Sequence, residues 1–259
     1  MNPDSFGPIV TFPSVEHLAM IDHPAPVGLD DRTVHVWGFS LDGSAAALRR
    51  CRLWLSEEER ARAERFIRRD DQLQYVFAHG GLRVLLARYA GVDPVALRFQ
   101  AGPTGKPVVL DQQGRQHAVR FNLSHSHGRM LIAVARELDI GVDLEEIREK
   151  VEVVKLAERF YAPGEYERVL SLSGLDQARQ FFRYWVAKEA VLKGQGVGLL
   201  SLQQCEILTA DIPLRAVAQV TPEAAMQPGW TVQWVECGPS WIGAVSAHGS
   251  DWGVRAFNS

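Results

Sequence analysis

The sequence predicts an α+β protein of two pseudo-repeated α/β halves, each a small antiparallel sheet packed with helices. Three observations lead there. Helix-like and strand-like stretches follow one another in the same order in both halves. Ala63-Glu-Arg-Phe66 recurs as Ala157-Glu-Arg-Phe160, each copy ahead of a second helical pattern. Those second helices align from Phe77–Val92 to Phe182–Val197 with a shift of 105 residues, which sets Arg83 against Lys188, Arg88 against Lys193 and Gly91-Val92 against Gly196-Val197. Glu189 falls opposite Val84, so chemistry at Glu189 belongs to one half only.

Taken in order, residues 1–30 hold five of the thirteen prolines and no clear periodicity, which predicts an extended, loosely packed arm. Thr33–Phe39 is strand-like. Ser56-Glu-Glu-Glu opens a helix, because Ser caps free N–H groups and acids suit the positive helix end. A second helical stretch runs from about Asp70 to Ala90, stopped by Gly91 and Pro94. Short strands are expected near Leu97–Gln100 and Val119–Leu123, and Met130–Ala135 and Ile140–Leu144 read as adjacent strands. Helical pattern returns from about Val151 to Leu172, broken near Pro163-Gly164, and again from about Leu175 to Lys193, ending at Gly194. Cys205–Leu208, Leu214–Val220, Thr231–Glu236, Trp241–Ala247 and Gly253–Phe257 read as strands. The expected division is an arm over 1–30, one half over 31–127 and another over 128–259.

Composition sets the outer limits. At 259 residues, 46% hydrophobic and 23% charged, the chain can bury a sizeable core as one large domain or two small ones. A net charge of −3 argues against a nucleic-acid coat and a polybasic membrane binder. No apolar run approaches a membrane-spanning length. The first 21 residues lack the basic start and apolar core of a secretory signal. Cys51, Cys205 and Cys237 are odd in number and widely spaced, so a reducing cytoplasm is the expected home.

Four motifs can carry chemistry. In a strand at Gly141-Val-Asp-Leu-Glu145, Asp143 and Glu145 share a face, and two adjacent carboxylates invite a hard cation such as Mg²⁺ or Mn²⁺; a solvated acidic strand end is the plainer alternative. In Trp185-Val-Ala-Lys-Glu-Ala-Val-Leu-Lys193, Glu189 and Lys193 stand in the favoured i,i+4 order of a surface pair, or Glu189 completes a metal site with the strand carboxylates. Phe121-Asn-Leu-Ser-His-Ser-His127 offers Ser124, His125 and Ser126 as phosphate donors, or His125 and His127 as zinc ligands. Gly102-Pro-Thr-Gly-Lys-Pro107 specifies a rigid turn with Lys106 at its tip and lacks P-loop spacing. Gly194-x-Gly-x-Gly198 follows a helix and reads as a C-cap rather than a dinucleotide fingerprint. Eight Arg against four Glu over 49–69 read as a solvated helix face, with a phosphate-facing flank as the minority reading.

In their order, Gly-Lys-Pro at 105–107, Phe-Asn-Leu-Ser-His-Ser at 121–126, Gly-Val-Asp-Leu-Glu at 141–145 and Trp-Val-Ala-Lys-Glu-Ala-Val-Leu-Lys at 185–193 resemble the Sfp-type 4′-phosphopantetheinyl transferases. Arg-Phe-Tyr at 159–161 with Glu165 adds to the likeness, which runs from about Leu55 to Leu200. The resemblance implies transfer of phosphopantetheine from coenzyme A to a serine of an apo acyl or peptidyl carrier protein, with release of 3′,5′-ADP. It implies Asp143, Glu145 and Glu189 around Mg²⁺ or Mn²⁺, Glu189 taking the serine proton, and Lys193 stabilising the departing phosphate. Thr104, Gly105, Lys106, Ser124, His125 and Ser126 would hold the nucleotide, and Arg62 and Arg69 its 3′-phosphate. The resemblance also implies an active site at the interface of the two halves, and two fused halves imply a monomer. His127 stands where the family often has Gly, and Glu59 intrudes among cations where relatives often carry Lys. Two other classes compete: a metal-dependent hydrolase built on His125, His127, Asp143 and Glu145, and a carrier-binding module without catalysis.

Overall fold

The computed structural model describes residues 7–20, 27–209, 215–220 and 226–257. A short helix α1 (Glu16–Ala19) and strand β1 (Thr33–Ser40) lead into helices α2 (Ala45–Trp54), α3 (Glu57–Ala63) and α4 (Arg69–Ala90). The hairpin of β2 (Arg98–Ala101) and β3 (Pro107–Leu110) precedes β4 (Val119–Ser126) and β5 (Arg129–Arg136). Then come β6 (Ile140–Glu146), α5 (Val153–Phe160), α6 (Pro163–Leu170) and α7 (Gly174–Gln195). The described chain ends with β7 (Cys205–Thr209), β8 (Arg215–Val220), β9 (Trp230–Glu236), β10 (Trp241–His248) and β11 (Gly253–Phe257). Leu214, expected to open β8, lies outside the described residues. No helix among the described residues is long and apolar enough to cross a membrane.

The duplication is visible in the sheets. One has the order β11-β1-β5-β4 and the other β6-β10-β9-β8-β7. Within them β1-β5-β4 and β6-β10-β9 repeat the same order with antiparallel pairing throughout. One pair departs from the expected antiparallel plan: β11 returns to the first half and lies parallel to β1. The two 22-residue helices α4 and α7 occupy equivalent places and end on left-handed glycines, Gly91 (φ 66°) and Gly196 (φ 71°). The α7 cap is therefore Gly196 rather than Gly194, which lies buried in the helix.

Three expectations need correction. Met130–Ala135 and Ile140–Leu144 are consecutive in the chain but belong to different sheets, since β5 pairs with β1 and β4, and β6 with β10. A boundary at 127/128 falls inside the β4–β5 hairpin, so the sheets divide at 137–139 instead. The reason is a tight turn: Ser126 pairs with Arg129, and His127 (φ 44°) and Gly128 (φ 78°) both take the positive φ of a two-residue loop. Over 7–20 the arm is pinned rather than loose. Val10, Val15, Leu18 and Ala19 are buried. Val10 N–H donates to Glu236 O and Ser40 N–H to Pro13 O, so the segment straps one sheet to the other. Finally, α2 has no counterpart in the sequence reading, because only Ala47 and Cys51 of it are buried and no apolar stripe marks it.

Apolar packing fills each half and also the seam between them. Val34, Val36, Leu131 and Ala133 of the first sheet meet Ile140, Val142, Leu144 and Val245 of the second. At the seam β6 and α7 touch backbone to backbone. A Cβ on Gly141 would sit 1.9 Å from Ala190 O, so only glycine permits this approach.

Candidate active site

The motif residues converge on that seam. Strand alternation puts Ser124 and Ser126 of β4 on one face, opposite Asp143 and Glu145 of β6. Ser124 Oγ donates to Asp143 Oδ1 at 2.7 Å, and Ser126 Oγ to Glu145 Oε2 at 2.9 Å. Asn122 extends the ladder, its Oδ1 accepting from Val142 N at 2.9 Å. The close α7 packing then aims Glu189 and Lys193 at the same place. Lys193 Nζ lies 2.5 Å from Asp143 Oδ1 and 3.1 Å from Ser124 Oγ. Lys193 thus pairs with Asp143 of β6 rather than with Glu189 on its own helix, and Glu189 is not a surface residue but 8% exposed.

Glu189 is a perturbed acid. Burial, with Asp143 and Glu145 beside it, pushes its carboxyl up to about 7, against the pull of Lys193. Burial also raises Glu145, opposed by its bond from Ser126. Asp143 Oδ2 and Glu189 Oε1 are buried without a hydrogen-bond partner. Hard carboxylate oxygens, three negative groups against one ammonium and two orphaned buried oxygens fit a divalent cation. The fit is not preformed: among the described residues, no three His, Cys, Asp or Glu side chains stand close enough to hold a metal as they are placed. Asp143 is engaged by Lys193, and Glu145 turns to Ser126 and Arg148.

The remaining expected residues fall in three places. Thr104, Gly105 and Lys106 form the β2–β3 turn, docked on the end of α7, where Thr104 leaves no room for a Cβ at Gly196. Lys106 Nζ donates to Ile140 O at 2.6 Å and Gly194 O at 3.1 Å, and burial lowers its pKa to about 8. The ammonium closes the C-terminal carbonyl end of α7, and its charge suits that end of the helix. His125 points to the face of β4 away from the carboxylates. Packing around it holds its pKa below the usual value, and both His79 and Lys193 push the same way. Arg62 lies 5.8 Å over the Tyr75 ring, which stacks on His79 at 4.0 Å, and His79, like Lys193, acts electrostatically on His125. Arg69 does not join them. It lines a separate cleft of about 230 Å³ with Leu48, Arg49, Arg52 and Leu73.

Sequence reasoning missed Tyr75, His79 and a buried repeat. Arg83 Nε donates to Glu59 Oε2 at 2.7 Å, and at the equivalent place Lys188 Nζ lies 2.6 Å from Glu165 Oε2. Each glutamate is the third residue of its helix, α3 or α6, and its side chain accepts from the backbone N–H that precedes the helix. The alignment of Arg83 with Lys188 was the available signal.

Residues 43–138 match the model of the 4′-phosphopantetheinyl transferase N-terminal domain, and residues 139–228 that of the 4′-phosphopantetheinyl transferase superfamily. The chain is 34% identical over 220 residues to the 4′-phosphopantetheinyl transferase HetI of Nostoc sp. (strain PCC 7120), covering 85% of this chain and 89% of HetI. It is 30% identical over 146 residues to the 4′-phosphopantetheinyl transferase Sfp of Bacillus subtilis (strain 168), covering 56% and 62%. It is 32% identical over 146 residues to the 4′-phosphopantetheinyl transferase psf-1 of Bacillus pumilus, covering 56% and 60%. With two family models meeting at the junction of its two sheets and a relative matched over most of both lengths, this chain belongs to the 4′-phosphopantetheinyl transferase family.

Proposed function

We propose that this transferase moves phosphopantetheine from coenzyme A to a serine hydroxyl of an apo acyl or peptidyl carrier protein, releasing 3′,5′-ADP, with Mg²⁺ or Mn²⁺ held by Asp143, Glu145 and Glu189. The observation that carries it is the meeting of Glu189, Asp143 and Lys193 at the seam, with two buried carboxylate oxygens left without partners. When bound, the cation supplies charge neutralisation and orientation for in-line attack. The chain's own residues do the rest. Glu189 takes the serine proton. The serine oxygen forms a bond to the β-phosphorus of coenzyme A. The bond to the bridging oxygen breaks, and its electron pair leaves on 3′,5′-ADP. Lys193 offers a fixed cation to that developing charge.

Ser124 and Ser126 hold the diphosphate side, His125 on the other face of β4 reaches the nucleotide's phosphates, and Thr104 and Gly105 line the nucleotide. Lys106 supports them through the hairpin it ties to Ile140 and Gly194. Arg62 supplies charge for the 3′-phosphate. The reading includes a monomer working in the cytoplasm, in contact with neither nucleic acid nor membrane. A zinc hydrolase on His125 and His127 has less support, because His127 Nδ1 is engaged with Ser126 Oγ at 2.8 Å and His125 lies on the opposite strand face.

Intact-mass measurement tests the function. Apo-carrier proteins of fatty-acid, polyketide and nonribosomal-peptide synthesis, incubated with coenzyme A and Mg²⁺, should gain one phosphopantetheine on at least one carrier type, and EDTA should abolish the gain. No gain on any of the three contradicts the proposal.

A further inference from the structure

The hydrogen bonds at Asp143 are unequally shared. Oδ1 receives both Lys193 Nζ at 2.5 Å and Ser124 Oγ at 2.7 Å, while the buried Oδ2 receives nothing. Glu189 Oε1 is also buried and bare. Glu145 turns to Ser126 and Arg148, so Asp143 and Glu189 have Lys193 as their cation, and its ammonium stands at Oδ1, beside the two bare oxygens a divalent ion would use. Asp143 in direct contact, and Glu189 and His125 at longer range, feel its charge. A second cation arriving there meets Lys193 as a like charge, so the two cannot both be held close to Asp143 without mutual repulsion. The Lys193 side chain is 32% exposed and ends in a flexible four-carbon stem, so the ammonium has somewhere to go.

We infer that Lys193 is an internal counter-ion whose charge at Asp143 Oδ1 opposes a divalent cation on the neighbouring bare oxygens until a diphosphate ligand draws its ammonium away. Metal and nucleotide binding are then coupled: each strengthens the other by the same factor. Without a diphosphate ligand the site is then expected to bind a divalent ion weakly despite its carboxylates. The inference rests on the cation-binding reading proposed above.

Mn²⁺ binding to the full chain, followed by the electron paramagnetic resonance signal of free Mn²⁺, tests it without turnover. Wild type, Lys193→Met and Lys193→Arg are titrated with and without coenzyme A, with coenzyme A alone titrated to correct for its own chelation. Without coenzyme A, Lys193→Met should bind Mn²⁺ at least tenfold more tightly than wild type, and Lys193→Arg should bind like wild type. Coenzyme A should tighten wild-type binding at least tenfold and Lys193→Met binding less than threefold. Equal affinity of wild type and Lys193→Met without coenzyme A overturns the inference while leaving the metal site standing. Lack of Mn²⁺ binding by wild type and Lys193→Met, even with coenzyme A, overturns the metal reading and this inference with it. Should Lys193→Met melt below the titration temperature, Lys193→Gln takes its place with the same expectations.

Discussion

Glu189 sits 8% exposed beside two other carboxylates and ionises near pH 7, where a free glutamate ionises near 4.5. The folded state therefore binds its proton more tightly than the unfolded state. Its contribution to stability is full below about pH 4.5, falls as pH rises toward 7, and stays low above, a loss of roughly 3 kcal/mol. Glu189→Gln removes that slope. In EDTA its melting temperature should exceed wild type by several degrees at pH 8 and match it at pH 4.5. A variant less stable than wild type at pH 8 would show that burial of this charge is not costly. The pairing of Asp143 with Glu145 on one strand face was legible, because period-two alternation decides it. The bond from Lys193 to Asp143 was not, since helix spacing favours Glu189 as its partner. A tertiary partner 50 residues away wins because Gly141 lets β6 lie directly on α7.

At the scale of elements, the buried pairs Arg83–Glu59 and Lys188–Glu165 fix α4 to α3 and α7 to α6 in the two halves. Burial would raise Glu59, but bonds from His79, the Ser56 backbone and Arg83 hold it down to about 2. That pair stabilises the fold above about pH 4.5 and is lost as pH falls toward 2. Lys188 is 0% exposed, so Lys188→Met leaves the buried Glu165 without its counter-charge. Urea unfolding should show a loss of about 3–5 kcal/mol. Adding Glu165→Gln should recover most of it, since the amide oxygen can still accept from Ile207 N. A single variant within about 1 kcal/mol of wild type would mean the charges contribute little. These helices were legible from their periodicity, the Ser56 cap and the glycine stops. Helix α2 was not, because its caps and tertiary packing hold it without an apolar stripe, leaving Leu53 67% exposed.

Across the whole molecule, the seam is held by the apolar sheet contact and by the strap over residues 7–20. Its backbone bonds reach Glu236 in one half and Ser40 in the other. Gly38 packs so closely that a Cβ there would meet Thr11 O at 2.3 Å. Gly38→Val should therefore lift the strap. Hydrogen exchange at the Ser40 and Glu236 amides should then rise together, by about tenfold for each 1.4 kcal/mol of lost protection. A rise at Ser40 alone would show that the strap does not couple the halves. The duplication itself was legible from the 105-residue echo. Sheet membership of β5, β6 and β11 was not, because hydrogen-bond partners far along the chain decide it. The roles assigned at the seam meet in one observable. Crystals grown with coenzyme A and Mn²⁺ should show an anomalous peak within ligand distance, about 2 Å, of the Asp143 and Glu189 carboxylates and beside the diphosphate. A peak on His125 or His127, or bound coenzyme A with no peak at those carboxylates, would contradict the account.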